Sequence, residues 1–260
     1  MKGFFVSSAG AYVRYHDLPG DNTPIVFIHG IGCASSFDYP EVATRLAHKG
    51  HRCILVDLLG AGFSDKPEAF AYSISAHAQY LADFIRSLQL GRCYLYGHSR
   101  GGSVAIELTG LITEQLAGLV LSEANLDAGG GMFSKQIAAI SEQDYVHCGH
   151  QQVIARSVDS ADPSGKLWAA SMRLCLPQAV HREAVSLIAG GSPSWRQRFY
   201  ALPVPKAFVF GVHSLPDPDT DILAAQGIDI ALVEDAGHSM AWENPQGLAK
   251  VLGEVLEGWG

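Results

Sequence analysis

Charge is scarce in this sequence, and the shortage narrows what the chain can be. Asp, Glu, Lys and Arg make up 17% of its 260 residues, below the ~25% usual for soluble domains. That excludes a long disordered or polyelectrolyte region. A basic excess is also missing: 18 Lys and Arg stand against 26 Asp and Glu. A surface built for nucleic-acid phosphates needs the opposite balance. No apolar run approaches the ~18 residues of a membrane span, so neither nucleic acid nor membrane is an expected partner. The opening residues Met1-Lys2-Gly3-Phe4-Phe5-Val6 are too few for a signal-peptide core. Cysteine is sparse, odd in number and never in CxxC spacing. Cys33, Cys53, Cys93, Cys148 and Cys175 therefore fit a reduced, cytoplasmic setting, with Cys53 and Cys93 as small core residues. The acidity that exists is local. Residues 214–260 hold nine Asp or Glu and one Lys, which accounts for the whole net charge of −8. A basic docking partner for this segment stays open beside the plainer reading of a solvated surface.

What is present is a rhythm of apolar runs. Residues 4–7 and 12–15 alternate like an antiparallel pair around Ala9-Gly10. Residues 24–28 (PIVFI), 53–57 (CILVD), 93–96 (CYLY) and 116–122 suit strands buried on both faces. Helical spacing falls between them at 39–48, 75–88 and 101–111. Strand-like runs then stop after Asn125 and return only at 207–210 (AFVF) and 230–233 (IALV), before a terminal helix that follows Pro245. Strands alternating with helices imply parallel crossovers. The expected fold class is α/β, a mostly parallel, doubly wound sheet of about eight strands. The stretch 127–201 reads as a helical insertion, or cap, in a single core made of 1–126 and 202–260. Its Trp168, Trp195, Phe199 and Tyr200 are candidates for pocket or packing residues.

Gly97-His98-Ser99-Arg100-Gly101-Gly102 directly follows one predicted strand and precedes a predicted helix. This is G-x-S-x-G in the context that gives it meaning: a tight reversal that presents Ser99 alone at the sheet's carboxyl edge. A serine hydroxyl is a weak nucleophile and needs a neighbouring base. Among eleven histidines, His238 follows a strand and precedes a helix, which brings it to that same edge. His48 and His51 read as surface residues beside a helix end, His98 as the variable position of the turn, and His29 as positioning its own loop. His147-Cys148-Gly149-His150 lacks a second motif to complete a metal site and reads as a polar surface turn.

On these residues the chain resembles the α/β-hydrolase family over essentially its whole length. His29-Gly30-Ile31-Gly32 looks like the family's oxyanion loop. Asp57-Leu58-Leu59-Gly60-Ala61-Gly62-Phe63-Ser64 looks like its turn after the fourth strand, and Ala236-Gly237-His238 like its histidine loop. The insertion falls where the family commonly carries a cap. The resemblance implies a triad with Ser99 as nucleophile and His238 as base. The backbone N–H groups of Ile31 and Arg100 are the expected oxyanion donors. The Arg100 side chain is left for a salt bridge or solvent, or for a substrate contact. No metal or cofactor is implied.

The third member departs from the family's commoner pattern. The slot just past the seventh strand, in Phe210-Gly211-Val212-His213-Ser214, holds a serine where an acid is usual. Asp217, Asp219 and Asp221 come later in a proline-flanked segment expected to be stiff and extended. Glu123 ends the sixth strand, where certain haloalkane dehalogenases of the same family look similar and place their acid. Glu123 is the preferred acid and the three aspartates are the alternatives. The expected activity is a serine hydrolase cleaving a small to medium, largely apolar ester or lactone through an acyl-enzyme. C–C bond hydrolysis or a lyase reaction on the same triad, or a non-catalytic receptor, remain open. Nothing in the sequence speaks to oligomeric state.

Overall fold

The apolar runs become β1 (Lys2–Val6), β2 (Ala11–Leu18), β3 (Asn22–Ile28), β4 (His51–Asp57), β5 (Cys93–His98), β6 (Leu116–Ser122), β7 (Lys206–Gly211) and β8 (Asp229–Val233). In the computed structural model, which describes all 260 residues, they form one sheet ordered β1-β2-β4-β3-β5-β6-β7-β8. β2 runs antiparallel to both β1 and β4, and every other neighbouring pair is parallel. The period of two explains the unbroken apolar runs. Val26, Ile28, Ile54 and Val56 face one core, while Ile25, Phe27, Cys53 and Leu55 face the other. Each buried aliphatic contributes roughly 1.5–3 kcal/mol.

Four helices precede or interleave the first six strands: α1 (Ser35–Asp38), α2 (Pro40–His48), α3 (Ile74–Ser87) and α4 (Arg100–Thr109). Their starts follow from sequence. Ser73 accepts from the Ala76 N–H to cap α3, and Pro40 occupies the first turn of α2, where a missing N–H costs nothing. Between β6 and β7 the chain makes only helices: α5 (Met132–Ala138), α6 (Glu142–Asp144), α7 (His150–Val158), α8 (Pro163–Met172), α9 (Pro177–Ala189) and α10 (Trp195–Ala201). After β7 come α11 (Asp219–Ala224), α12 (Met240–Glu243) and α13 (Pro245–Glu257). α2 and α13 cover one face of the sheet through Leu46, Leu248 and Leu252, while α3 and α4 cover the other through Leu81 and Leu108.

Two expectations are corrected. The 217–221 segment is not extended: Pro218 adopts φ −61° and ψ −25° and leads into α11, as a proline pre-set for a first helical turn can. His51 opens a strand and is buried, not on the surface. Of the two roles offered for Trp195 and Phe199, the structure gives them packing: both fill the core against the sheet.

Sheet order positions the site. β3 has β4 on one side and β5 on the other, so the direction of winding reverses there, which opens a crevice at the carboxyl ends. Register aligns those ends. Ile28 pairs with Gly97, His98 with Ser122, and Ser122 with Val209. The segments that follow β3, β5, β6 and β7 therefore leave the sheet side by side.

Candidate active site

Ser99 joins β5 to α4 with φ 51° and ψ −124°, a conformation that costs a non-glycine residue about 1–3 kcal/mol. The flanking glycines let the strain persist. A Cβ at position 97 would stand 2.8 Å from the Gly101 carbonyl oxygen, and one at 101 would run into the carbonyl oxygens of Ile28 and His29. The Ser99 N–H is anchored on the Ser122 carbonyl at 2.9 Å. Its side chain does not cap α4, which leaves the hydroxyl available to the crevice.

The histidine loop is tied down from behind. Gly237 N–H donates to Glu243 Oε2 at 2.6 Å, and Asn244 Nδ2 donates to the Glu234 carbonyl at 2.7 Å. His238 Nδ1 donates to Glu123 Oε2 at 2.7 Å, and Gly211 N–H donates to Glu123 Oε1 at 3.0 Å. The carboxylate thereby places the imidazole proton on Nδ1 and leaves Nε2 free to accept. Burial works to raise the Glu123 pKa, but the His238 and Ser214 side chains and the Gly211 N–H outweigh it and hold it below the usual carboxylate range. The three aspartates lie elsewhere. Asp219 pairs with Arg196 at 2.9 Å, Asp217 accepts from the Asp219 N–H at 2.8 Å, and Asp221 makes no side-chain hydrogen bond. His98, read from sequence as a variable position, stacks beside His238 with ring centroids 4.7 Å apart. Burial, then the neighbouring His238, push its pKa down to about 3.

Ile31 and Arg100 each carry a backbone N–H with no backbone acceptor, and Arg100 opens α4, where the dipole favours a negative ligand. Gly30 runs beside the nucleophile turn: a Cβ there would lie 3.3 Å from the His98 ring and in ordinary contact, 3.5 Å, with Ser99 Cβ. The loop is held by Trp168 Nε1, which donates to the Ile31 carbonyl at 2.9 Å. Asp57 and Ser64 brace the turn after β4, with the Asp57 carboxylate accepting from the Ser36 and Phe63 N–H groups and the Ser64 hydroxyl donating to the Asp57 carbonyl. Ser99, His238, Glu123, Ile31 and Trp168 all line one cavity of about 540 Å³.

A family profile described as alpha/beta hydrolase fold matches residues 23–145, from β3 through the Ser99 turn and Glu123. Along nearly the full length, the chain superposes on an esterase from Thermogutta terrifontis with TM-score 0.83 and 21% identity, covering 99% of this chain and 98% of that one. This protein has the α/β-hydrolase fold. An enol-lactonase from Burkholderia xenovorans is similar with TM-score 0.79, 19% identity and coverage of 98% and 100%. Among curated sequences, the mesoderm-specific transcript protein of Mus musculus is 32% identical over 136 residues, which are 50% of this chain and 40% of that protein. The match thus spans well under half of that relative.

Several site residues carried no recognised sequence signal. Asp38 and Tyr39 line the cavity, are buried, and leave Asp38 Oδ1 and the Tyr39 hydroxyl without protein partners. Burial holds the Asp38 carboxyl well above its ordinary pKa, which favours its protonated form. Glu243 braces both the histidine loop and Ser164 of α8. The Arg100 side chain is wholly buried, 3.4 Å from Glu183 of α9, so it takes the salt-bridge role rather than a solvated one. His150 is buried against Tyr145 and the Met172 carbonyl, which removes it from the surface turn in which it was expected.

Proposed function

We propose that this protein is a serine hydrolase of small to medium esters or lactones, with Ser99, His238 and Glu123 as its triad. The observation that carries the reading is the meeting on one cavity of a strained Ser99, a His238 held at 2.7 Å by Glu123, and Ile31 with its free amide, the free Arg100 amide following Ser99 directly in the chain. Ser99 Oγ attacks the carbonyl carbon as its proton passes to His238 Nε2. The Ile31 and Arg100 N–H groups hold the resulting oxyanion. The C–O bond to the leaving alcohol, or to the ring oxygen of a lactone, then breaks as His238 returns the proton to that oxygen. Water, deprotonated by His238, attacks the acyl carbon, and Ser99 regains its proton as the acid leaves.

The helices of 127–201 act in this reading as the cap over the crevice. They supply Met132, Phe133, Val153, Trp168 and Leu187 to its wall, which suits an apolar ligand. Asp38 Oδ1 and the Tyr39 hydroxyl, buried and unpaired, add a hydrogen-bonding corner, so the preferred substrate carries one polar group on an otherwise apolar frame. The test is a panel of p-nitrophenyl esters, lactones and β-diketones with wild type and Ser99→Ala side by side, together with labelling by a fluorophosphonate. Loss of both turnover and labelling in Ser99→Ala is expected. Labelling retained in that variant removes Ser99 as the nucleophile, and turnover of β-diketones alone moves the reaction to C–C cleavage.

A further inference from the structure

Beneath the oxyanion loop lies a set of buried polar side chains that the triad does not use. It centres on the Gly30–Ile31 peptide. The N–H of that planar unit is one of the two free amides, and its carbonyl points the opposite way. The carbonyl accepts twice, from Arg100 Nη2 at 3.0 Å and from His29 Nδ1 at 2.9 Å. The His29 tautomer follows from its other nitrogen: Leu58 N–H donates to Nε2 at 3.0 Å, so the proton sits on Nδ1.

Arg100 is held in turn from the helical insertion. Glu183 Oε2 of α9 lies 3.4 Å from Arg100 Nη2, and Glu183 Oε1 lies 3.1 Å from His77 Nε2. A carboxylate opposite Nε2 requires the His77 proton there, so Nδ1 accepts from the Tyr80 hydroxyl at 2.9 Å. That hydroxyl oxygen accepts from the Leu59 N–H at 3.1 Å. Each histidine nitrogen in the network has a matching partner, while Arg100 reaches Gly30 and Glu183 through Nη2 alone and its Nε and Nη1 make no hydrogen bond to the protein. His29, His77 and Arg100 are fully buried and Glu183 is 3% exposed. Burial lowers the pKa of both histidines, so they are neutral and the two remaining charges, Arg100 and Glu183, balance.

We propose that Arg100, held by Glu183 and His77, is a positioning residue that clamps and polarises the Gly30–Ile31 peptide and so presets the Ile31 N–H for the oxyanion. The inference rests on the hydrolase reading above. A carbonyl that accepts from a cation draws density through amide resonance and strengthens the N–H on the far side of the same unit. Such a donor, fixed before the reaction, costs no reorganisation when charge develops. Because Glu183 belongs to α9, the clamp also fastens this donor to the helical insertion, and the Trp168 contact from α8 does the same for the next carbonyl.

The experiment compares wild type with Arg100→Met, Arg100→Lys and Glu183→Gln. Hydrolysis of p-nitrophenyl butyrate is normalised to sites titrated by a fluorophosphonate. Affinity for an aryl trifluoromethyl ketone, which forms an oxyanion with Ser99, is measured in parallel. The Ile31 amide resonance is followed by NMR. Arg100→Met keeps the backbone N–H at 100, so kcat should fall about 10- to 100-fold, less than the ~10²–10³ for losing a whole donor. KM should change little, ketone affinity should fall with kcat, and the Ile31 amide proton should move upfield. Arg100→Lys should recover part of each loss. If a lone Arg100→Met does not fold, Arg100→Met/Glu183→Gln removes both charges and is read by the same criteria. An unmoved Ile31 amide, or an unchanged kcat per titrated site, overturns the proposal. Wild type inert to both ester and ketone overturns the hydrolase reading and the catalytic meaning of the clamp with it. A shifted Ile31 amide in that same inert protein still supports the polarising link.

Discussion

Glu123→Gln separates the proposed acid from its alternatives, and the local geometry sets the size of the effect. The carboxylate accepts on both oxygens, from His238 Nδ1 at 2.7 Å and from Gly211 N–H at 3.0 Å. A glutamine retains one acceptor and adds a donor. With its carbonyl kept on Gly211, its NH₂ faces His238 Nδ1 and favours the tautomer protonated at Nε2, which cannot take the Ser99 proton. With the amide turned, NH₂ meets the Gly211 N–H, and the mismatched pair costs ~1–3 kcal/mol. In both orientations the imidazolium of the transition state loses its counter-charge. A unit pair at 4 Å is worth ~4 kcal/mol near a protein surface, and His238 is 50% exposed, so roughly half of that survives solvent screening. The two terms together come to about 4 kcal/mol, which lowers kcat by roughly 10³. The assay is kcat on p-nitrophenyl butyrate, with thermal melts to show that each variant is folded. Asp217→Asn and Asp219→Asn are run alongside and should stay within about threefold of wild type, as exposed or cap-type interactions do. The assignment is refuted if Glu123→Gln keeps more than about a tenth of wild-type kcat or if an aspartate variant shows the large loss instead.

Stability should fall on the acid side of neutrality. Burial holds His29 well below its ordinary pKa and His98 at about 3, so just below pH 6.5 the unfolded chain binds protons that the folded chain does not. Stability therefore rises with pH through that window. Each of the two contributes ~1.4 kcal/mol between pH 5.5 and 7.5, about 3 kcal/mol together. Urea unfolding at the two pH values measures the difference, and equal free energies would sink the neutral-imidazole reading. Gly101→Ala pushes a methyl group against the carbonyl oxygens of Ile28 and His29. A cost of about 2 kcal/mol is expected, seen calorimetrically as a Tm lower by roughly 4–8 °C. A Tm within a degree of wild type would contradict the close approach of α4 to the end of β3.

The parts of this protein legible in its sequence are those set by local chemistry. A run such as PIVFI has no polar position to turn towards water, so burial on both faces is its only solution. Gly97, Gly101 and Gly102 announce a turn too tight for side chains. The insertion is less readable, because periodicity identifies an apolar face without saying what it meets. Trp168 reaches the cavity, while Trp195 and Phe199 enter the sheet core. Glu183 shows what a closer reading could extract. It sits three residues after Val180 and four before Leu187, both buried, and a carboxylate on the apolar face of an amphipathic helix requires a partner. That partner, Arg100, is 83 residues away in the chain, and no spacing rule connects them.

The position of the acid has a structural explanation that the motif alone lacks. β6 and β7 are neighbours in register, with Ser122 beside Val209, so a residue just past β6 and one a few places past β7 come close to each other beside the histidine loop. Position 214 illustrates this, since the Ser214 side chain acts with His238 and the Gly211 N–H to lower the pKa of Glu123. Carboxylates at both positions would set like charges against each other over one histidine, and one would be driven to protonate. A neutral donor at 214 instead stabilises the charge at 123, along with the Gly211 N–H. Ser214 and Glu123 are therefore best understood as a matched pair. In the proposed triad a carboxylate after β6 thus does work that one after β7 could also do, because the two strand ends lie side by side.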